Sequence, residues 1–408
     1  MQTTDRILMA VADTAPKMLA LYERGEGELT YRIPALLYLP QDRAALAFAE
    51  KRSSLKDEHA KHLVVRRVKL ADEAGVLKVA DVGKIQELAA ASIPGHRSMN
   101  PCPVLVEKKL FLFFIAVPTG LSEGEQLKTG RNAARLAYAC STDLGVTWGA
   151  AVDLTDAVLG SHVGHWATFA LGPGHGLHLP ARTGNCSKFG RILIPAHAYF
   201  KDELPKSDCR PHSFTIYSDD AGSTWKVGDA VGGCNTGECQ VAMVSDEAGR
   251  PVVICNSRTL GHEFRVQAIS DDLGKSFREG TVVPRLVEAA QDWNGCHGSI
   301  VSFLPELKGN TTPKHWLLYS HPSKPKKRLD LGVYLNKAPM ALENWSDPWV
   351  IFKGPSGYSD LAGLGKTEGG GLWFGCLYEG GEKDSRDKIN FCIFSLADVE
   401  KYTGVKPK

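Results

Sequence analysis

Apolar residues occur along this chain in short runs broken by Gly, Pro, Asn and Asp. Examples are Ala35–Tyr38, Ala45–Ala49, Leu63–Arg66, Val104–Val106, Leu110–Val117, Ala134–Cys140 and Ile192–Ala196. The series continues through Ser213–Tyr217, Val252–Cys255, Arg265–Ile269, Trp316–Tyr319, Gly332–Leu335 and Lys388–Phe394. Their length and their Val, Ile, Leu, Phe and Tyr content predict strands. Helical spacing is scarce: Lys84–Ala91 predicts one short helix, and Leu154–Val158 one further turn. The chain is therefore expected to be all-β. No Pro/Ser/Gly linker divides it, so residues 1–408 are expected to form a single domain.

Between these strands one eight-residue pattern recurs. It reads Ser141-Thr-Asp143-Leu-Gly145-Val-Thr147-Trp148, then Ser218-Asp-Asp220-Ala-Gly222-Ser-Thr224-Trp225, then Ser270-Asp-Asp272-Leu-Gly274-Lys-Ser276-Phe277. Each copy predicts a hairpin turn. The Asp can accept from backbone N–H groups of its own loop, and the Gly can supply a left-handed residue. The closing aromatic is expected to fold back over the sheet as a plug. A repeat at such spacing, with variable insertions, fits propeller blades of four strands, and a ring of blades leaves few exposed edges.

Composition narrows the class. The 408 residues can bury a large core, and 41 Gly agree with a turn-rich protein. Lys+Arg 48 against Asp+Glu 46 gives no basic excess, so a nucleic-acid partner is not expected. The ten cysteines form no Cys-x-x-Cys pair and no zinc pattern, so no metal and no cofactor is expected. Cys102, Cys140, Cys255, Cys376 and Cys392 lie in apolar contexts and read as core residues in a reducing compartment. The apolar stretch Ile7–Ala12 is too short for a secretory signal, and Leu110–Pro118 is too short to span a bilayer. The sequence thus predicts a cytoplasmic protein, with peripheral membrane contact left open. The sequons at Asn185, Asn310 and Asn344 then carry no meaning. Gly363-Leu-Gly365-Lys366-Thr367 lacks the first Gly of a phosphate-binding loop, since position 360 is Asp360.

A second set of motifs carries a resemblance. Thr30-Tyr-Arg32-Ile-Pro34 resembles the Tyr/Phe-Arg-Ile-Pro signature of sialidases, and the three repeats resemble the sialidase Asp-boxes. Glu50-Lys-Arg52, Lys56-Asp57-Glu58-His59, Met99-Asn100-Pro101-Cys102-Pro103, Gly237-Glu238-Cys239-Gln240 and Gly357-Tyr358-Ser359-Asp360 are similar to segments of the vertebrate cytosolic and membrane-associated (ganglioside) sialidases. The likeness runs from about residue 28 to about residue 395. It implies a six-bladed β-propeller with Asp-box turns, acting as an exo-α-sialidase. The implied substrates are sialylated glycolipids, glycoproteins or oligosaccharides.

The substrate makes the implied residues intelligible. Sialic acid carries a carboxylate on its anomeric carbon, and guanidinium groups bind carboxylates through forked hydrogen bonds. The resemblance places three such groups at Arg32, Arg258 and Arg328. That carboxylate would repel an anionic nucleophile, whereas a neutral phenol avoids the clash. Tyr358 matches the nucleophile, Glu238 its base and Asp57 the general acid, with Glu58 as the neighbouring alternative. Arg52, Met99 and Asn100 match the acetamido side. Glu50 matches a carboxylate buttressing the arginines. Glu123, on an expected mobile loop, and Tyr199 match the glycerol side. His197 and His297 stand where these relatives commonly carry Tyr and Gln, near the glycerol side and the aglycone. There they would titrate near neutrality and influence preference and pH response. The alternative reading is a non-catalytic propeller that binds sialoglycans, which needs only the arginines.

Overall fold

The computed structural model describes residues 15–404, apart from residues 26, 28, 182, 185–186, 202–209, 234, 293 and 307–313. Ile7–Ala12, Asn185, Asn310, Cys186, Cys209 and Cys234 lie outside the described residues. Each of the strand-predicting runs coincides with a strand, Ala134 alone lying one residue outside its own. The strands pair antiparallel in order along the chain, as short hairpin connections require.

The first sheet contains Thr30–Leu39, Ala44–Arg52, Ala60–Glu73 and Val76–Val82, with Gln86–Glu87 beside the third strand. The second is His96–Val106, Lys109–Pro118, Arg135–Ser141 and Val152–Asp153. The third orders Trp166–Leu171, Arg191–Phe200, Arg210–Ser218 and Lys226–Val227, and Leu177–Leu179 also pairs with Arg191–Phe200. The fourth is Thr236–Ser245, Pro251–Thr259, Phe264–Ser270 and Thr281–Val287. A seven-stranded sheet follows, from Ser299–Phe303 through Trp316–Pro322, Leu329–Asn336, Trp349–Lys366 and Leu372–Gly380 to Lys388–Ser395. Its last place is taken by Met18–Glu23, so the start of the chain completes the sheet made by its end.

The arrangement is propeller-like. Thr30–Leu39 touches His96–Val106, which touches Trp166–Leu171; Arg191–Phe200 touches Thr236–Ser245, which touches Ser299–Phe303. Trp349–Lys366 then closes the ring onto Thr30–Leu39. At the convergence lies Asp360, with no exposed surface. Its Oδ2 accepts from Leu36 N (2.7 Å), and its Oδ1 from Gln240 Nε2 (2.8 Å). Ser299 Oγ and His175 Nδ1 also lie 2.9 and 2.8 Å from Oδ1. One carboxylate thus holds several segments of the ring together.

The repeats form closely similar turns. In each, the Asp accepts from the backbone N–H four residues on: Thr147 at 2.9 Å, Thr224 at 2.8 Å and Ser276 at 2.9 Å. The Ser Oγ accepts from the Gly N–H at 2.6–2.9 Å. The three glycines take φ of 82°, 85° and 90°, where a side chain would be strained. They also press against the preceding sheet. A Cβ would meet Leu46 at 2.8 Å, Phe111 at 2.6 Å and Leu193 at 2.8 Å, respectively. The aromatic plugs follow: Trp148 meets Phe48, and Trp225 packs between Phe111 and Phe113. Trp148 and Trp225 therefore seal neighbouring sheets together.

Two local expectations differ from the structure. Lys84–Ala91 forms no helix: Gln86–Glu87 pairs with Ala60–Glu73, and Ala91 N donates to Leu88 O in a turn. Strand pairing overrode its weak helical spacing. Glu123 does not lie on a loop; it begins the helix Glu123–Thr129, fixed by a Ser122/Glu125 capping box. A second short helix, Leu396–Tyr402, has the same kind of box from Ser395 and Asp398. The remaining turn, at Leu154–Val158, is realised as a helical turn at Thr155–Leu159.

Candidate active site

Backbone irregularities aim the side chains of the site. Strand pairing slips between Arg32 and Ala35, and Ile33 sits at φ 60°. That conformation is costly for a β-branched residue, and a bulge of this kind redirects a side chain. A second slip lies between Met99 and Cys102, with Asn100 at φ 53°. Both bulges open onto one cleft of about 610 Å³.

Thirteen of the residues singled out by sequence line that cleft: Asp57, Glu58, Tyr358, Glu238, Arg32, Arg258, Arg328, Arg52, Met99, Asn100, Glu123, Tyr199 and His197. Tyr358 is its centre. The phenol donates to Glu238 Oε1 at 2.5 Å and accepts from Arg258 Nη1 at 3.0 Å. Arg258 Nη1 also donates to Glu238 Oε2 at 2.6 Å. The Arg32 and Arg328 guanidinium carbons lie 5.5 and 5.3 Å from the Tyr358 ring centre. Three cations from distant parts of the chain therefore surround one phenol.

The charges shift one another. Burial alone would raise Glu238, but Arg258, His297 and His197 outweigh it and hold the carboxyl at about 2. Burial pushes the Tyr358 phenol well up, and the Glu238 charge adds to that, against Arg258 and Arg328. The phenol therefore keeps its proton, and Glu238 stands ionised beside it. Asp57 sits at the mouth, with its side chain 56 % exposed and paired with Arg52. Desolvation raises its pKa, but Arg52 and Arg32 dominate and lower it. Glu123 is raised to about 7, by burial first and then by Asp57 and Glu238. Since Glu123 remains open to solvent on its outer side, the upward direction is what matters here.

Glu50 lies beneath the cleft. It binds Arg52 through Nε (2.8 Å) and Nη2 (2.5 Å), and it accepts from Asn100 N (2.7 Å). Its buttressing therefore reaches Arg52 and the Asn100 bulge. Arg32 is held by Glu379, which no sequence motif indicated. Glu379 accepts from Arg32 Nε (2.7 Å) and Ile33 N (3.0 Å) on one oxygen, and from Arg32 Nη2 (3.2 Å) and Tyr358 N (3.2 Å) on the other. Gly357 is required beside it, since a Cβ there would lie 2.5 Å from Glu379 Oε2.

The two histidines behave differently from the sequence expectation. His297 is fully buried behind the cleft, its ring 5.4 Å from that of Tyr358. Neither is expected to titrate near neutrality. Desolvation lowers both to about 4, against the pull of Glu238.

With this geometry, comparison with known proteins is direct. The BNR repeat-like domain family matches residues 56–368. Mouse Sialidase-3 is 43% identical, covering 91% of this chain and 92% of its own length. Human Sialidase-4 is 39% identical, covering 96% of each chain. Among solved structures, a Hadza microbial sialidase superposes with a TM-score of 0.71 at 21% identity, covering 93% of this chain and 68% of its own. Extended similarity to the vertebrate enzymes, with the cleft assembled as described, makes this chain a member of the sialidase family of glycoside hydrolases.

Proposed function

We propose that the chain is an exo-α-sialidase that works with retention, through a covalent sialyl-Tyr358 intermediate. The observation that carries this reading is the 2.5 Å hydrogen bond from the Tyr358 phenol to Glu238, with three arginines around it. Arg32, Arg258 and Arg328 would hold the substrate carboxylate beside the phenol. Glu238 takes the phenol proton as Tyr358 Oη bonds to the anomeric carbon. Asp57 gives its proton to the glycosidic oxygen, and the aglycone leaves. The Asp57 carboxylate then draws a proton from water, which attacks the anomeric carbon. The bond to Tyr358 breaks, and Glu238 returns the proton. The architecture supporting this is read as six four-stranded blades with Asp-box turns, the seven-stranded sheet comprising two blades.

Asp57 must be protonated for the first step, yet Arg52 holds it low in the open cleft. Filling the cleft removes water from Asp57 and brings a second carboxylate near, and both raise its pKa. For an alkyl-linked sialoside, kcat should therefore climb as pH falls below neutrality. A non-catalytic binder would need the arginines alone; the phenol–carboxylate couple favours the enzyme. Sialylated glycolipids, glycoproteins and oligosaccharides all present the required terminal sugar. NMR of the first sugar released tests the two-step route: it should be the α anomer, and initial β product would exclude it.

A further inference from the structure

Behind the arginine cluster lies a second charged group that the chemistry above does not use. The side chains of Arg265, Glu288 and His321 have no exposed surface. Arg265 Nη1 donates to Glu288 Oε2 at 3.1 Å and to the Cys296 carbonyl at 2.7 Å. Arg265 Nε donates to Asn256 Oδ1 at 2.9 Å. His321 Nε2 lies 2.9 Å from Glu288 Oε1. The same Glu288 oxygen accepts from Cys296 N at 2.9 Å. Burying such charges is costly unless they are partnered, and these three partner one another.

What it holds is the 288–296 loop. The loop presents two consecutive carbonyls to the site. Asn294 O accepts from Arg258 Nε at 3.0 Å. Gly295 O accepts from Arg328 Nε at 3.1 Å and Nη2 at 2.7 Å. From the same loop, Asp292 Oδ2 accepts from Arg328 N at 2.7 Å. Two of the three cleft arginines are therefore aimed by one loop. Asn294 has φ 54° and Gly295 φ 99°, so the carbonyls depend on a left-handed backbone at both positions. Gly295 packs directly on the clamp, since a Cβ there would lie 2.9 Å from Glu288 Cδ.

We propose that Glu288 is a positioning residue for sialoside binding: clamped by Arg265 and His321, it fixes the loop whose Asn294 and Gly295 carbonyls aim Arg258 and Arg328 at the substrate carboxylate. This rests on the carboxylate-binding role assigned above. It acts on binding first and on chemistry only through Arg258, which also touches Tyr358 and Glu238, while Asp57 is bypassed.

The test compares Glu288→Gln, which keeps the shape but removes the charge, with Gly295→Ala, which pushes the loop off an intact clamp. Both are made in the full chain. KM and kcat on a fluorogenic sialoside are measured, with the affinity for an unsaturated sialic acid analogue and a crystal structure of each variant. The expected result is KM and inhibitor Kd raised about tenfold or more, kcat lowered by a smaller factor than KM is raised, and both carbonyls displaced from Arg258 and Arg328. A core variant remote from the cleft, Trp349→Phe, should lower Tm without moving KM. Unchanged KM and inhibitor affinity in a soluble variant, or carbonyls still seated on both arginines, would overturn the proposal. If Glu288→Gln does not fold, the Gly295→Ala result decides alone. Displaced carbonyls in a protein whose parent neither binds nor cleaves sialosides would instead refute the functional reading and leave the positioning intact.

Discussion

The repeat turns and the cleft use the same kinds of side chain in opposite ways. In a turn, the Asp finds its partners inside its own loop: Asp143 and Thr147 are four residues apart. In the cleft, Tyr358 meets Glu238 across 120 residues, and Arg32 meets Glu379 across 347. Turn carboxylates satisfy backbone N–H groups in or near solvent. Glu50, Glu238 and Glu379 instead neutralise guanidinium groups while themselves buried or nearly so. A turn can therefore form early and alone, whereas the cleft exists only once the ring has closed. Its cost is carried by the plugs and strands that the turns organise.

That contrast can be broken at several points. Tyr358→Phe and Glu238→Gln should each lower kcat by roughly 10³-fold or more with little change in unfolding midpoint. Retention of full activity in either would remove the cleft from the chemistry. Glu379→Gln should act on both activity and stability. It leaves Arg32 buried without its counter-charge, which costs about 3–5 kcal/mol in urea unfolding. A loss below 1 kcal/mol, roughly that of a surface pair, would mean this pair is less buried than described.

Acid should separate the two regions next. Glu238 and Glu288 are held at about 2, below their ordinary 4.5, so the folded state binds fewer protons than the unfolded. Their contribution is complete above pH 4.5 and is lost as pH falls toward 2. His197 and His297, at about 4 instead of 6.5, stay neutral where unfolded imidazoles become charged. Stability should thus already decline from pH 6.5 toward 4, and substituting both histidines should flatten that limb. A flat urea midpoint across that range in the parent protein would contradict the buried-neutral assignment. The smallest effect is expected in a turn: Asp220→Ala should cost about 1 kcal/mol of stability and leave kcat unchanged.

Legibility in the sequence follows the same divide. The Ser-x-Asp-x-Gly pattern was readable because each turn is satisfied within its own few residues. Strand runs were readable where they were short and apolar; the long strand Trp349–Lys366 was not, being interrupted by Gly and Lys. Arg32, Arg258, Arg328, Tyr358, Glu238 and Asp57 were found through resemblance, since no spacing rule joins residues so far apart. Glu379, Asp360 and Glu288 were missed because each is an ordinary carboxylate in the sequence, and its importance comes from burial and distant partners. The positive φ at Ile33, Asn100 and Asn294 left no sequence signal, since none is a glycine. A glycine tolerates such backbone freely, but the site needs a side chain there or inherits one from a strand.

The central claim is that the Tyr358 phenol, activated by Glu238 among three arginines, bonds to the sugar. Mass spectrometry of the protein after brief treatment with 2,3-difluorosialic acid tests this most directly. One fluorosialyl group should be found on the peptide containing Tyr358 and be absent from Tyr358→Phe. An adduct on Asp57 or Glu238, or complete inactivation with no adduct at all, would contradict it.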